Sequence, residues 1–321
     1  MAEKIIFAGT PDFAAVHLQA LLDKGFDVVA VYTQPDRPAG RGHKLTPSPV
    51  KELALKHNLP VYTPLNFKEE EDKAQWEAIG ADIAIVVAYG VILPERVLNA
   101  PRLGCINVHG SLLPEWRGAA PIQRALLSGK GTTGVTIMQI VKALDAGDML
   151  FKKEMPILDS DTSGSLFERM ATVGAEALVE ALPDILSSKI TPEPQDEKLV
   201  TYAAKLSKEE SPLNFNKSAQ ELCLQVRGLN PWPVATTSLG DTLFKVFEAH
   251  VLADGEIGAL GDTSNLGAGA IVEVNASGIV VKCAEGFLVL KTIQAPGKGR
   301  VSAADLARSR KEQFARGVCF A

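Results

Sequence analysis

The chain is poor in cysteine and in long apolar runs. Its four cysteines, Cys105, Cys223, Cys283 and Cys319, are scattered. None forms a Cys-x-x-Cys pair, so neither a zinc site nor a disulfide framework is indicated and no metal is expected. The longest apolar stretch, DIAIVVAYGVILPE, is too short to span a membrane and is interrupted by Gly90. The start, MAEKIIFAGTPDF, lacks the basic, apolar and small-residue regions of a secretory signal, and the Arg-rich pattern of a transit peptide. A monomeric protein of a reduced cytoplasm is the expectation. No Gly-x-x-x-x-Gly-Lys-Ser/Thr motif is present, which excludes a P-loop. The first turn, AGTPDF, carries only Gly9 where a dinucleotide site needs three glycines at fixed spacing. Positive charge is in deficit: 33 Lys and Arg against 38 acids give a net charge of -5. That excludes a general basic coat for nucleic acid.

What is present is an alternation. KIIFAGT, DVVAVYTQ, DIAIVVAYG, GCINVHGS and TGVTIMQIV read as strands, and helical stretches of about ten residues fall between them. Asp12 suits the start of the first helix and Gly25 its stop. The pattern predicts an α/β fold, a mostly parallel Rossmann-like sheet with helices on both faces. It changes after Lys189, where KITPEPQDEKLVTYAAKLS is polar, carries two prolines and reads as a surface linker. Beyond it come one helix, SAQELCLQVRGL, and short alternating strands, GAIVEVN, GIVVKCA and GFLVLKTIQ, the mark of a small antiparallel barrel or sandwich. The division is therefore 1–189, a linker at 190–206, and 207–321. Charge is uneven as well. Lys282 to Arg316 holds eight Lys or Arg against three acids. A local basic face on an acidic protein can bind RNA, and it can equally be a solvated surface.

Asn107 and His109 stand two apart at the end of an apolar strand, in NVHGSLLPEWRG. Side chains alternate along a strand, so both point to one face, while Ile106 and Val108 point to the other. An amide can hydrogen-bond a developing oxyanion and an imidazole can move protons near neutrality. After the next strand, KALDAGDML places Asp145 and Asp148 in a glycine-containing turn, where a carboxylate could orient His109. Turn aspartates are also common for structural reasons, and the residues themselves do not choose between the two. The stretch Gln34–Val50 has four prolines, Gly40, Gly42, and the basic Arg37, Arg41, His43 and Lys44. It is too long for an ordinary connection, which suits a functional loop.

These residues carry a resemblance. NVHGSLLPEWRGAAPIQRALLSG followed by TGVTIMQIVKALDAGDML resembles the core of the formyltransferases that use 10-formyltetrahydrofolate: Asn-x-His, Ser-Leu-Leu-Pro, then Asp-x-Gly-Asp, without departure. The resemblance implies Asn107, His109 and Asp145 as catalytic residues, and so favours the first aspartate of the turn. It implies that Ser111, Leu112, Leu113 and Pro114 lie along the folate, which serves as co-substrate. FAGTPDFAAVHLQALL, YTQPDRPAGRGHKLTPSPVK and RGLNPWPVA are similar to the branch of that family whose acceptor is an aminoacyl-tRNA. That likeness implies initiator methionyl-tRNA as partner, RNA contacts from Arg37, Arg41 and Lys44, and an OB-like C-terminal barrel that helps hold tRNA. The alternatives are another formyltransferase or a hydrolase of the same chemistry, or a catalytically idle RNA-binding relative.

Overall fold

The structure, a computed structural model, describes residues 3–39 and 44–321. The chain forms two compact units. The first reaches to Pro121 and resumes over Thr132–Pro156 and Phe167–Ala203; the second gathers Ile122–Gly131, Ile157–Leu166 and Ala204–Ala321. In chain order the elements are β1 (Ile5–Gly9), α1 (Asp12–Asp23), β2 (Val28–Tyr32), β3 (Arg37–Ala39), β4 (Lys44–Thr46), α2 (Pro49–Lys56), β5 (Val61–Tyr62), α3 (Glu70–Ala78), β6 (Ile83–Val87) and α4 (Glu95–Leu98). There follow β7 (Cys105–His109), β8 (Arg117–Gly118), α5 (Pro121–Leu127), β9 (Thr132–Gln139), β10 (Met149–Pro156), α6 (Ser163–Leu186) and β11 (Tyr202–Ala203). The rest are α7 (Ala219–Gly228), β12 (Ala235–Leu239), β13 (Thr242–Val251), α8 (Asp254–Ile257), β14 (Ile271–Val274), β15 (Ile279–Lys282), β16 (Phe287–Gln294), β17 (Val301–Ser302) and α9 (Ala303–Ser309).

The first unit is built on one sheet, in the order β10-β9-β7-β6-β1-β2-β5. Every residue of β1 and β6 is buried. Parallel strands covered by helices on both faces require such unbroken apolar runs. The five strands from β7 to β5 run parallel to one another. β9 runs against both β7 and β10, so the expected sheet is mostly parallel with an antiparallel margin. One element lies outside the expected alternation: α6 is a 24-residue helix. Its Gly174 is required by close packing, because a Cβ there would lie 2.6 Å from His17 Nε2 of α1 and 3.3 Å from Val108 Cγ1 of β7.

The segment that composition marks as a linker is built into the first unit as far as Ala203. Glu193 pairs with Met149, and β11 pairs in parallel with β8. The second unit is an antiparallel sheet in the order β12-β13-β16-β15-β14, with β17 on β16. The final residues close it. The Val318 carbonyl accepts from the Ile271 N–H at the start of β14, the Phe320 N–H donates to the Gly269 carbonyl just before it, and Ala321 exchanges two backbone hydrogen bonds with Ser238 of β12, at 2.8 and 2.9 Å. The sheet thus becomes a barrel with a continuous apolar interior, including Phe244, Val246, Ile271, Leu288, Leu290 and Phe320, covered by Leu222 and Val226 of α7. Ser218 and Glu221 start α7 with a reciprocal capping box.

Candidate active site

β7 positions two of the expected residues. Cys105, Asn107 and His109 share a face, and Cys105 lies in the cluster with Tyr89 and Val97. Val108 faces the other way, toward α1 and α6. Asn107 is half-buried and His109 only 5% exposed. His109 Nε2 lies 2.9 Å from the Trp116 carbonyl. A carbonyl can only accept, so Nε2 carries the proton of the neutral ring and Nδ1 keeps its lone pair. Nδ1 lies 3.8 Å from Asp145 Oδ2. Burial pushes the His109 pKa below its ordinary value, against the opposing pull of Asp145 and the Trp116 carbonyl. The ring is therefore neutral at pH 7, with its basic nitrogen beside a carboxylate that stabilises a proton taken up there.

Of the two turn aspartates, Asp145 is the one whose carboxylate reaches the histidine. β9 ends with Gln139 opposite Ile106, whereas His109 lies opposite Thr136. The chain after Gln139 therefore turns back along β7 to bring Asp145 to His109. Asp145 adopts φ 48°, a left-handed conformation unusual for a residue with a Cβ. The Gly118 N–H donates to its Oδ2 at 2.8 Å. Trp116, at φ 64°, is held by donation from its N–H to Thr201 Oγ1 at 2.9 Å.

The Ser111–Pro114 segment runs directly on from β7 and is pinned to β9. Thr136 Oγ1 donates to the Ser111 carbonyl at 2.7 Å and accepts from the Leu113 N–H at 3.0 Å. Ser111 Oγ donates to the Glu115 carbonyl at 2.6 Å. Leu113 is 1% exposed and packs on Met138 and Met149, while Leu112 and Pro114 are half-buried. Arg37 and Lys44 are exposed on the two strands of a short ribbon, β3 and β4, within the proline-rich loop. The base of that loop is tied by the Lys51–Asp36 ion pair at 2.8 Å and by Ser48, which caps α2. Arg41 lies outside the described residues. Among the described residues no group of three or more His, Cys, Asp or Glu is placed to hold a metal. A groove of about 900 Å³ elsewhere in this unit, between α1, α2 and α6, is lined by residues such as Val16, Leu53 and Val179; Asn107, His109 and Asp145 are not among them.

The residues that support this trio are the ones sequence reasoning does not single out. The Trp116 carbonyl and the Gly118 N–H are backbone groups, which carry no residue-type signal. Thr136, Gln195 and Thr201 act through side-chain hydrogen bonds to residues far from them in the sequence.

Residues 3–182 match the family described as "Formyl transferase", and residues 205–311 match "Formyl transferase, C-terminal domain". The fold is similar to that of WlaRD, a sugar 3N-formyl transferase, with a TM-score of 0.64 at 18% identity, over 93% of this chain and 100% of that one. It is similar to the N-formyltransferase from Helicobacter canadensis, with a TM-score of 0.66 at 18% identity, over 92% and 100%. It is also similar to HypX from Aquifex aeolicus, with a TM-score of 0.62 at 14% identity, over 96% of this chain and 49% of that one. The chain thus spans about half the length of HypX. At these identities the likeness is one of fold, and the family rests on the sequence match, which takes in more than half of the residues and all three members of the trio: the chain belongs to the formyl transferase family.

Proposed function

We propose that the chain is a methionyl-tRNA formyltransferase, which moves the formyl group of 10-formyltetrahydrofolate to the amino group of initiator methionyl-tRNA. The observation that carries the chemistry is the meeting of His109 and Asp145, at 3.8 Å, beside Asn107 on one face of β7. An α-amino group has a pKa of about 7.7–8.0, so a useful neutral fraction exists near pH 7. Its nitrogen attacks the formyl carbon, a C–N bond forms, and the carbonyl electron pair moves onto oxygen. The Asn107 amide stabilises that oxyanion by hydrogen bonding. His109 Nδ1 takes the proton the amine loses, and Asp145 stabilises the resulting imidazolium. The bond from the formyl carbon to N10 then breaks, and N10 leaves as the proton passes to it.

A folate donor is supported by relatives of similar fold. WlaRD was crystallised in the presence of dTDP and 5-N-formyl-THF, and HypX in complex with tetrahydrofolic acid. Ser111, Leu112, Leu113 and Pro114, beside His109, are the segment assigned to it. Leu113 is packed inward, so the half-buried Leu112 and Pro114 and the backbone are what this segment offers a donor. The tRNA acceptor is supported by the likeness of the N-terminal segments and of RGLNPWPVA to the tRNA-directed branch. It is supported also by exposed Arg37 and Lys44 on the ribbon and by the local basic stretch from Lys282 to Arg316. In this reading 1–189 carries the chemistry, 207–321 helps hold tRNA, and the enzyme works as a cytoplasmic monomer.

The test is a formyl-transfer assay on the full chain with three acceptors: initiator methionyl-tRNA, a dTDP-amino sugar and glycinamide ribonucleotide. Donor-dependent formylmethionyl-tRNA is the expected product. Transfer to either small acceptor alone would replace the tRNA assignment. Release of formate without an acceptor would make the protein a hydrolase.

A further inference from the structure

Asp145 is held from behind by a residue of the connecting segment. Gln195 Nε2 donates to the Asp145 carbonyl and to the Gly147 carbonyl, each at 2.8 Å. Its Oε1 accepts from Arg117 Nε at 2.9 Å. Arg117 is 3% exposed, and its Nη2 donates to Glu197 Oε1 at 2.9 Å. The next residue, Gly118, donates its N–H to the Asp145 carboxylate at 2.8 Å. The amide orientation is fixed by its partners, since two carbonyls demand a donor and a guanidinium demands an acceptor. Gln supplies both at this reach. Glu cannot donate, and Lys cannot accept. The clamp holds a turn that would not rest there unaided, because Asp145 sits at φ 48°, and a left-handed residue with a Cβ costs on the order of 1–2 kcal/mol.

We propose that Gln195, backed by Arg117, is a positioning residue for formyl transfer: it grips the Asp145–Gly147 turn and so keeps the Asp145 carboxylate on His109. The inference rests on the reading of Asn107, His109 and Asp145 as the reacting site. It gives residues 190–203 a part in catalysis as well as in connection. Arg117 and Gly118 approach Asp145 from β8, and Gln195 from the segment that continues into β11. β8 and β11 are themselves paired, so the two arms of the clamp form one structure.

The test uses the full chain with Gln195→Glu, which keeps the size and the acceptor for Arg117 but sets a carboxylate against two carbonyls. Gln195→Met, of similar length and without charge, gives the same readouts should the first variant not fold. Three quantities are measured: kcat and KM in the formyl-transfer assay, and the titration of the His109 ring by NMR. A misplacement of a reacting group by about 1 Å can cost about 10²-fold. A fall in kcat of that size is expected, with the KM for both substrates within about twofold. The His109 titration is expected to move to lower pH, because the carboxylate that favours its protonated form has moved away. An unmoved His109 titration overturns the proposal even if melting temperature falls, since Gln195 would then only stabilise the fold. Asp145→Asn separates this from the site assignment. If Asp145→Asn retains full activity, the reading of the site fails. If it is inactive while both Gln195 variants are normal, only the clamp fails.

Discussion

His109 and Asn107 share a strand face but not an environment, and their variants should differ accordingly. Asn107 is half-buried, so Asn107→Ala should lower kcat by about 10²–10³-fold, the usual loss for an oxyanion donor, with an almost unchanged melting temperature. His109→Ala should lower kcat as far. It also leaves the Trp116 carbonyl without its donor in a buried place, which costs roughly 1–3 kcal/mol of stability. Normal turnover in the Asn107 variant would remove it from the site. A second histidine, outside the proposed site, is expected to contribute to acid sensitivity. His17 is fully buried; its Nδ1 donates to the Phe13 carbonyl at 2.7 Å, and its Nε2 finds no hydrogen-bond partner among the described residues. Burial pushes its pKa down to about 4. Below pH 6.5 the unfolded chain binds a proton there that the folded chain refuses. The stability is therefore fully present above pH 6.5 and is lost progressively as pH falls toward 4, by roughly 3 kcal/mol. His17→Leu should flatten the fall in melting temperature between pH 7 and 5, and an unaltered slope would show that other groups govern acid unfolding. At this scale Asn107 and His109 are legible because strand alternation has a fixed period. Asp145 is separated from Asp148 only by the path of the turn. Gln195 has no such handle, because a polar residue in TPEPQDEK looks like any solvated one until its partners, 48 and 50 residues away, are known.

Elements show a similar divide between pattern and direction. The apolar runs of β1, β6 and β7 announce buried strands, but periodicity carries no arrow. Nothing in TGVTIMQIV says that β9 runs against β7, and that reversal decides from which end the Asp145 turn approaches the histidine. α6 escapes the expected alternation because it is more than twice the expected helix length and carries Gly174 and Pro183 inside it. Both read as breakers, yet Gly174 is where α1 and β7 come too close for any side chain. The connecting segment reads as exposed because it is polar and proline-rich, and it is held by backbone pairing with Met149 and β8 and by individual side-chain hydrogen bonds instead of an apolar face. In the barrel the strands are legible and the closure is not, since the residues that bridge β12 and β14 form no strand of their own. Phe320, 4% exposed, anchors that closure in the core. Phe320→Ala should cost about 3–5 kcal/mol, the usual loss for a buried phenylalanine. Removal of residues 318–321 should go further and leave the edges of β12 and β14 unpaired, with aggregation on heating. A truncated chain that melts like the intact one and stays monomeric would show that the barrel closes without its tail.

For the whole molecule the question raised by the proposed function is how a chain of net charge -5 would hold a polyanion. Local clusters must do it, and the structure narrows which of the eight basic residues from Lys282 to Arg316 are placed to help. Lys282 donates to the carbonyls of Thr263 and Leu266, and Arg316 to those of Leu260, Val272 and Asp262. Both organise loops of the barrel. Arg308 pairs with Asp305, and the Arg300 guanidinium stands 3.7 Å over the Phe247 ring. Lys291, Lys298, Arg310 and Lys311 remain as exposed cations. Replacing Lys298 and Lys311 together by alanine should raise the KM for methionyl-tRNA several-fold at moderate salt. It should also flatten the dependence of log affinity on log salt, by about 0.7–0.9 for each phosphate that is no longer neutralised. Replacing Lys282 instead should destabilise the barrel and leave the salt slope per folded molecule unchanged. Arg37 and Lys44, in the other unit, should contribute a separate increment to the slope, additive with the first because the two pairs have no partner in common among the described residues. The shift in melting temperature produced by a folate analogue should persist in all these variants, since ligand linkage at the Ser111–Pro114 segment involves none of them. If the Lys298 and Lys311 variant binds tRNA with the wild-type salt slope, the barrel does not grip the phosphates through these residues. The RNA would then be held from the proline-rich loop, or the acceptor is not a nucleic acid at all, which the three-acceptor assay decides.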